Sequence, residues 1–261
     1  MRIATWNINS VRLRIHHVLR FIKEWNIDVM CLQETKTEDK FFPINDFSEI
    51  GMIHQSFRGE KSYNGVAILS KIPIKTKSFQ LWCGYEDTRH NCVTLENNIN
   101  IHNFYIPAGG DIPDVKLNEK FHHKLNFVKE MIKFFSLLKH KNSILVGDLN
   151  IAPFENDVWS HKQLLNVVSH TPMETDLLLK LMKSSNWIDV GRKFFPKDEK
   201  LYSWWSYRNK DWKKSNRGRR LDHIWVSKDL DNISKSFLSC KEIRDWEKPS
   251  DHVPLILELS I

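Results

Sequence analysis

The chain has 261 residues, with 39 Lys and Arg against 32 Asp and Glu, a formal net charge of +7 at pH 7. Apolar side chains make up 41% and aromatic ones 11%, which places it in the globular range and excludes a disordered or fibrous chain. No run approaches the ~18 apolar residues of a membrane-spanning helix, and residues 1–9 alternate like a strand without the apolar core of a secretion signal, so a cytoplasmic protein with no membrane contact is expected.

In chain order, the first strand is predicted over residues 3–8. Ser10 then caps a helix whose apolar face runs Val11, Ile15, Val18, Leu19 and Ile22. Strands follow over 27–32, 65–69, 91–95 and 99–106. From Asn118 a second helix places Phe121, Leu125, Val128, Ile132 and Phe135 at steps of four and three. A strand over 143–146 precedes a third helix over 174–184, capped near Thr171 with Pro172 in its first turn. The last strands cover 221–226 and 254–259. Many strands and few helices point to two sheets packed together with helices outside. There is no internal repeat, no low-complexity tract and no flexible linker, so one domain over 1–261 is expected. Cys31, Cys83, Cys92 and Cys240 form no CxxC pair, which argues against a thiolate zinc site and a disulfide scaffold.

The charge is concentrated. Between residues 200 and 220, Lys200, Arg208, Lys210, Lys213, Lys214, Arg217, Arg219 and Arg220 face the single acid Asp211, a surplus of seven that equals the charge of the whole chain. Tyr202, Trp204, Trp205, Tyr207 and Trp212 are interleaved with these cations. Cations neutralise phosphates while exposed rings stack on bases or wedge into a groove, so the segment reads as a grip on nucleic acid or another polyphosphate.

Polar residues gather where apolar runs stop or start. Asn7 ends the first strand, Gln33-Glu34-Thr35 follows the second, Tyr105 ends the run from Ile101, and Gly147-Asp148-Leu149-Asn150 follows Ile144-Leu145-Val146. Asp222 opens the run Ile224-Trp225-Val226, and Ser250-Asp251-His252 precedes the final strand. Each one alone is an ordinary turn or cap residue. Together, on one rim of a sheet, carboxylates and amides need a cation, and oxygen ligands without cysteine point to Mg²⁺ or Mn²⁺. His252 then acts as a catalytic or charge-stabilising group. A hard cation beside a phosphate-binding segment fits metal-assisted hydrolysis of a phosphate ester. No GxxxxGK[ST], GxGxxG, GxSxG or HExxH motif is present to support ATPase, dehydrogenase, serine hydrolase or zincin chemistry.

The segments Thr5-Trp6-Asn7-Ile8-Asn9, Leu32-Gln33-Glu34-Thr35-Lys36, Tyr105-Ile106-Pro107, Gly147-Asp148-Leu149-Asn150, Arg220-Leu221-Asp222 and Pro249-Ser250-Asp251-His252 occur in an order and spacing that resembles the exonuclease III family of apurinic/apyrimidinic (AP) endonucleases, across essentially the whole chain. The resemblance implies an α/β fold, a four-layered sandwich of two mixed sheets with helices outside. It implies Glu34 as principal Mg²⁺ ligand with Asn7 and Asp251, Asp148 to orient or deprotonate water, and Asn150 to hold the phosphate or that water. His252, fixed by Asp222, would donate to a phosphate oxygen, and Tyr105 would contact the phosphate or assist the leaving group. The substrate would be double-stranded DNA cut 5′ to an abasic site, leaving a 3′ hydroxyl and a 5′ deoxyribose phosphate, with trimming of 3′ ends and removal of 3′ phosphates as further activities. Arg89 stands where related enzymes have a DNA-backbone arginine. Trp204 or Trp205 would pack on the abasic sugar, with Arg208, Lys213, Lys214 and Arg217 gripping the duplex and the enzyme working as a monomer. Two departures from the family pattern, His223 with Trp225 and Ala108-Gly109-Gly110, are expected to flank the pocket. The competing readings are a phosphodiesterase or phosphatase acting on an inositol or lipid head group, and a catalytically silent nucleic-acid binder.

Overall fold

The computed structural model of the chain describes residues 1–138, 140–209 and 211–261, so Lys210 of the cationic segment lies outside the described residues. In chain order the strands are β1 (Arg2–Asn7), β2 (Val29–Gln33), β3 (His54–Arg58), β4 (Val66–Ser70), β5 (Ile74–Ser78), β6 (His90–Leu95) and β7 (Asn100–Tyr105). They continue with β8 (Ser143–Asp148), β9 (Ile188–Asp189), β10 (Trp204–Trp205), β11 (Gly218–Arg219), β12 (Asp222–Val226), β13 (Ser234–Ser239) and β14 (Leu255–Leu259). One six-stranded sheet has the order β13-β14-β1-β2-β4-β3 and the other β5-β6-β7-β8-β12-β9, while β10 and β11 form a separate ribbon. Both sheets are mixed. β1 runs parallel to β2 and β7 to β8, and since a parallel pair needs a crossover, helices Ile15–Glu24 and Glu119–Leu137 supply them.

Alternation across the strands builds the layers. Ile3, Val29, Cys31, Ile68 and Leu257 face inward against Val93, Ile101, Ile144, Val146, Ile224 and Val226 of the opposite sheet. Ala4 and Trp6 face outward onto Val18, Phe21 and Ile22 of the first crossover helix. On the other outer face, Phe104, Leu145 and Trp225 pack with Phe127, Val128 and Met131 of the second, and with Leu178 and Leu181 of helix Pro172–Ser184. The product is helix, sheet, sheet, helix, the four-layered sandwich. Strands covered on both faces read as continuous apolar runs, which is why the central ones were visible in sequence. Each fully buried Leu, Ile or Phe contributes about 1.5–3 kcal/mol of transfer free energy.

Asn118 caps its helix, its Oδ1 accepting from the Lys120 and Phe121 N–H groups at 3.0 and 3.3 Å, and Thr171 forms a capping box with Glu174. Ser10 does not cap the first helix, which begins at Ile15. Its N–H donates instead to the Glu34 carbonyl at 2.8 Å, and that of Val11 to the Thr35 carbonyl at 3.1 Å, so this segment is tied to the loop after β2. Six strands had no sequence signal: the two-residue β9, β10 and β11, too short to show a pattern, and the longer β3, β5 and β13. The last three lie at sheet edges, where one side is exposed and residues such as Ile74-Lys75-Thr76-Lys77-Ser78 need no apolar run. His223 and Trp225 do not flank the pocket. They alternate with Asp222 along β12 and so point to the opposite face, where the His223 ring bonds the Ile151 carbonyl at 2.9 Å and Trp225 joins the outer core. Among the described residues no helix is long and apolar enough to cross a membrane, and the four cysteines are free thiols.

Candidate active site

Strand direction explains why segments far apart in sequence meet. β1, β2, β7 and β8 finish at the same end of the sandwich, and β12 and β14, antiparallel to their neighbours, begin there. In register, Tyr105 pairs with Asp148, and Asp148 with Asp222, so three of the predicted residues stand side by side on adjoining strands. Asn7 pairs with Gln33 across the facing sheet, which puts Glu34 one residue beyond the rim. Beneath them the two sheets are joined by amides: Gln33 Nε2 donates to Asn103 Oδ1 at 2.6 Å, and Asn103 Nδ2 to the Leu32 and Ala67 carbonyls.

The rim is one hydrogen-bonded network. Asn7 Nδ2 donates to both Glu34 Oε1 and Asp148 Oδ2 at 2.8 Å. Asn150 donates its backbone N–H to Asp148 Oδ1 at 2.9 Å and its Nδ2 to Asp148 Oδ2 at 3.1 Å and the Ile106 carbonyl at 2.9 Å. His252 Nδ1 lies 2.7 Å from Asp222 Oδ2, which also accepts from Ser203 Oγ at 2.6 Å, and His252 Nε2 lies 3.8 Å from Asp148 Oδ2. Asp251 accepts from Trp204 Nε1 at 2.9 Å and Asn9 Nδ2 at 3.1 Å. Glu34 and Asn150 are held in the left-handed backbone region, φ 50° and 53°, a strained state for non-glycine residues that collects at working sites.

Burial and pairing give these groups unlike proton affinities. Desolvation, countered by His252 and assisted by Asp222, pushes Asp148 up to about 7. For His252, burial would lower the pKa, but the Asp222 and Asp148 carboxylates override it and raise it to about 10. Burial together with Glu34 and Asp148 drives Tyr105 well above the ordinary phenol value, so it keeps its proton. Glu34 is opposed by its own burial yet held below the usual carboxylate range by the Lys36 ammonium and the Asn7 amide. Asp251 is likewise lowered against its burial, by His252 and the donors Trp204 and Asn9.

The donor set fits a hard cation. Glu34 Oε2 already holds the Lys36 ammonium at 2.6 Å, Lys36 Nζ donates to Asn9 Oδ1 at 2.7 Å, and Asn9 leads on to Asp251, so a positive charge stands among oxygen donors. Asp148, Asp222 and His252 also converge within 4.8 Å of one another. An imidazole with a pKa near 10 is protonated on both nitrogens at neutral pH and has no lone pair for an ion, so the Glu34 side is the better seat.

The remaining predicted residues divide. Arg89 bonds Asp87 at 2.6 Å with its guanidinium 4.9 Å above the Tyr105 ring, at the site's edge. Trp204 is half-buried beside Asp251. Trp205 is not available to a substrate: it is fully buried against Tyr202 and Val253, because alternation in β10 turns it inward where Trp204 turns out. Arg208 and Arg217 line a cavity of about 500 Å³ with Trp204. Lys213 and Lys214, on the short helix Trp212–Ser215, do not line it, and Lys213 pairs with Asp245 at 2.6 Å. Four contributors were missed in sequence. Asn9 and Lys36 sat inside quoted motifs without a role, Ser203 had no signal, and Lys124, on an apolar helix face, is a buried ammonium. It bonds Glu174 at 2.5 Å and the Asn150 and Ala108 carbonyls at 2.7 and 3.1 Å, pinning two loops of the site.

The profile of the endonuclease/exonuclease/phosphatase family matches residues 4–252. The chain is 30% identical to exodeoxyribonuclease III of Haemophilus influenzae, covering 99% of each sequence. Over the full length of both chains it superposes with a TM-score of 0.92 on an AP endonuclease from Archaeoglobus fulgidus, at 32% identity, and equally well on the 3′-5′ exonuclease NExo of Neisseria meningitidis, at 28% identity.

Proposed function

The chain belongs to the endonuclease/exonuclease/phosphatase family and is a hydrolase of phosphodiester bonds, and we propose that it is a Mg²⁺-dependent DNA repair nuclease of the exonuclease III type. Its substrate is duplex DNA, cut 5′ to an abasic site to leave a 3′ hydroxyl and a 5′ deoxyribose phosphate, with 3′-end trimming and 3′-phosphate removal at the same site. Full-length similarity to exodeoxyribonuclease III supports DNA over an inositol or lipid head group. We take residues 1–261 to act as one domain and one monomer in the cytoplasm. An inner core drawn from both sheets supports the single domain.

Glu34 would hold the metal, with Asn7 and Asp251 directly or through water. Bound there, Mg²⁺, or Mn²⁺ in its place, would neutralise phosphate oxygens and favour ionisation of nearby water. Asp148 takes the proton of the attacking water. A base poised near 7 is efficient at neutral pH, whereas a carboxylate at its ordinary value near 4 would be too weak. Asn150, locked onto Asp148, fixes that water or the phosphate in line. His252, kept charged by Asp222, donates to a phosphate oxygen as negative charge builds, and does most in a buried site. Tyr105, kept neutral, donates toward the departing 3′ oxygen.

The observation that carries this reading is geometric: a buried carboxylate, Asp148, accepts from the Asn7 and Asn150 amides at 2.8 and 3.1 Å and lies 3.8 Å from the His252 imidazole, which Asp222 holds at 2.7 Å. The test is a labelled duplex with one AP site, incubated with Mg²⁺ or EDTA beside an undamaged duplex and an inositol phosphate. Metal-dependent incision 5′ to the AP site is expected. An intact AP strand under conditions where the protein binds it would sink the proposal.

A further inference from the structure

The buried face of helix Glu119–Leu137 is made of Phe121, Leu125, Phe127, Val128 and Met131, and Lys124 lies in it with no exposed surface. An ammonium has three N–H donors, and here each has an acceptor: a Glu174 carboxylate oxygen at 2.5 Å, the Asn150 carbonyl at 2.7 Å and the Ala108 carbonyl at 3.1 Å. Glu174 is held from its other side by the N–H groups of Ser169 and Thr171 and by the Thr171 hydroxyl. Replacing a buried ion pair by apolar side chains of similar volume is often neutral or stabilising, so stability alone gives no reason for a cation at this place.

The two carbonyls that Lys124 holds belong to the segments that follow Asp148 and Tyr105. Asn150 stands at φ 53°, in the left-handed region that a non-glycine residue keeps only when its surroundings over-determine it. Both of its backbone groups are tied, the N–H to Asp148 Oδ1 at 2.9 Å and the carbonyl to Lys124. The side chain follows, with Nδ2 donating to Asp148 Oδ2 and to the Ile106 carbonyl. On the second segment the Ile106 N–H donates to the Asp148 carbonyl at 2.9 Å, and Ala108, two residues on, is fixed by Lys124. The lysine stem also accounts for a glycine in the departure from the family pattern. Gly109 has φ 89°, and a Cβ there would come 2.8 Å from Lys124 Cδ.

We propose that Lys124 is a positioning residue of the hydrolysis: its ammonium keeps Asn150 in the left-handed conformation that aims its amide at Asp148, and so acts on turnover and not on DNA affinity. The inference rests on the nuclease reading of the neighbouring site. Lys124 has no exposed surface, so it touches neither DNA nor the attacking water and works through Asn150. A neutral, unbranched side chain of the same length would leave both carbonyls without their donor and Glu174 without its counter-charge.

The test uses single-turnover cleavage and gel-shift affinity on an AP-site duplex with Mg²⁺. Lys124→Met removes the donors but leaves Glu174 as an unpaired buried charge, which mixes positioning with stability. The double variant Lys124→Met, Glu174→Gln removes that charge and keeps an acceptor for Ser169 and Thr171. Its denaturant midpoint should recover toward wild type, while its single-turnover rate stays lower by roughly tenfold to a hundredfold, the scale of a misplaced active-site group, with Kd for the duplex unchanged. Combined with Asn150→Ala, the double variant should lose no further rate, since both changes remove the same aimed amide. A rate that recovers in step with stability, a loss that appears in Kd instead of rate, or losses that multiply with Asn150→Ala would each overturn the proposal. The double variant decides even if Lys124→Met does not fold. An AP duplex left intact by the wild-type protein removes the nuclease reading itself, whereas wild-type cleavage with an unslowed double variant removes the role of Lys124 alone.

Discussion

The strand-end rim and the segment 200–220 both concentrate charge, and they handle it in opposite ways. At the rim the charged groups are buried or half-buried and each is answered by a named partner, so the charge there sets proton affinities. In the segment, identical cations have three fates. Arg220 is sealed in the core by Asp157 and Asp189, Lys213 lies on the surface against Asp245, and Arg208, Arg217 and Arg219 line a cavity with no carboxylate partner among the described residues. Net charge therefore locates a binding segment without saying which residues bind. The partner of each cation decides that.

The sharpest contrast is expected from Asp148→Asn. It keeps the hydrogen-bonding shape but cannot take a proton, so single-turnover cleavage should drop by about 10²–10⁴-fold with DNA affinity retained in a filter-binding or gel-shift assay. A near wild-type rate would remove Asp148 as the base. Next in size, Arg220→Met should leave buried Asp189 without its cation and Asp157 with Arg192 alone, and cost about 3–5 kcal/mol in denaturant unfolding. Its former neighbour in the charge count, Arg217, is exposed, and Arg217→Ala should change stability by less than about 0.5 kcal/mol. Similar losses for the two would erase the distinction between structural and binding cations.

Asp222→Asn tests the rim through pH. His252 is active as the imidazolium, and its raised pKa also stabilises the fold, fully below the ordinary value of 6.5 and no longer once pH has risen through about 10. Removing the Asp222 charge, the largest upward influence, should move the alkaline limbs of both activity and stability to lower pH. An unmoved limb would assign it to another group. The smallest effects lie on the surface: Arg217→Ala should reduce the salt slope of DNA binding by about 1, and the Lys213→Ala, Lys214→Ala pair by less per charge, since Lys213 is already paired. Equal slopes per charge would put the helix Trp212–Ser215 on the DNA as firmly as the cavity.

What could be read in the sequence follows the same division. Asn7, Glu34, Tyr105, Asp148, Asp222 and His252 were legible because each interrupts or borders an apolar run, and strand direction brings such borders to one end. Central strands were legible for the same reason, and edge strands β3, β5 and β13 were not, since half-exposed strands carry no apolar signature. The caps Asn118 and Thr171 were local and readable. Ser10 was misjudged because its backbone is claimed by Glu34, 24 positions away. Burial separates Trp204 from Trp205, and distant acids separate Arg219 from Arg220, so neither distinction exists in the local sequence.

The central claim is a buried carboxylate working as a base near neutrality against an imidazole kept charged at neutral pH. It is tested most directly by the pH dependence of single-turnover cleavage of an AP-site duplex at saturating Mg²⁺. The account predicts a rising limb with an apparent pKa about 7 and a falling limb about 10, values that belong to the coupled Asp148–His252 pair, with the rising limb absent from Asp148→Asn. A rate already at its plateau by pH 5, or a limb near 7 that survives in Asp148→Asn, would contradict it.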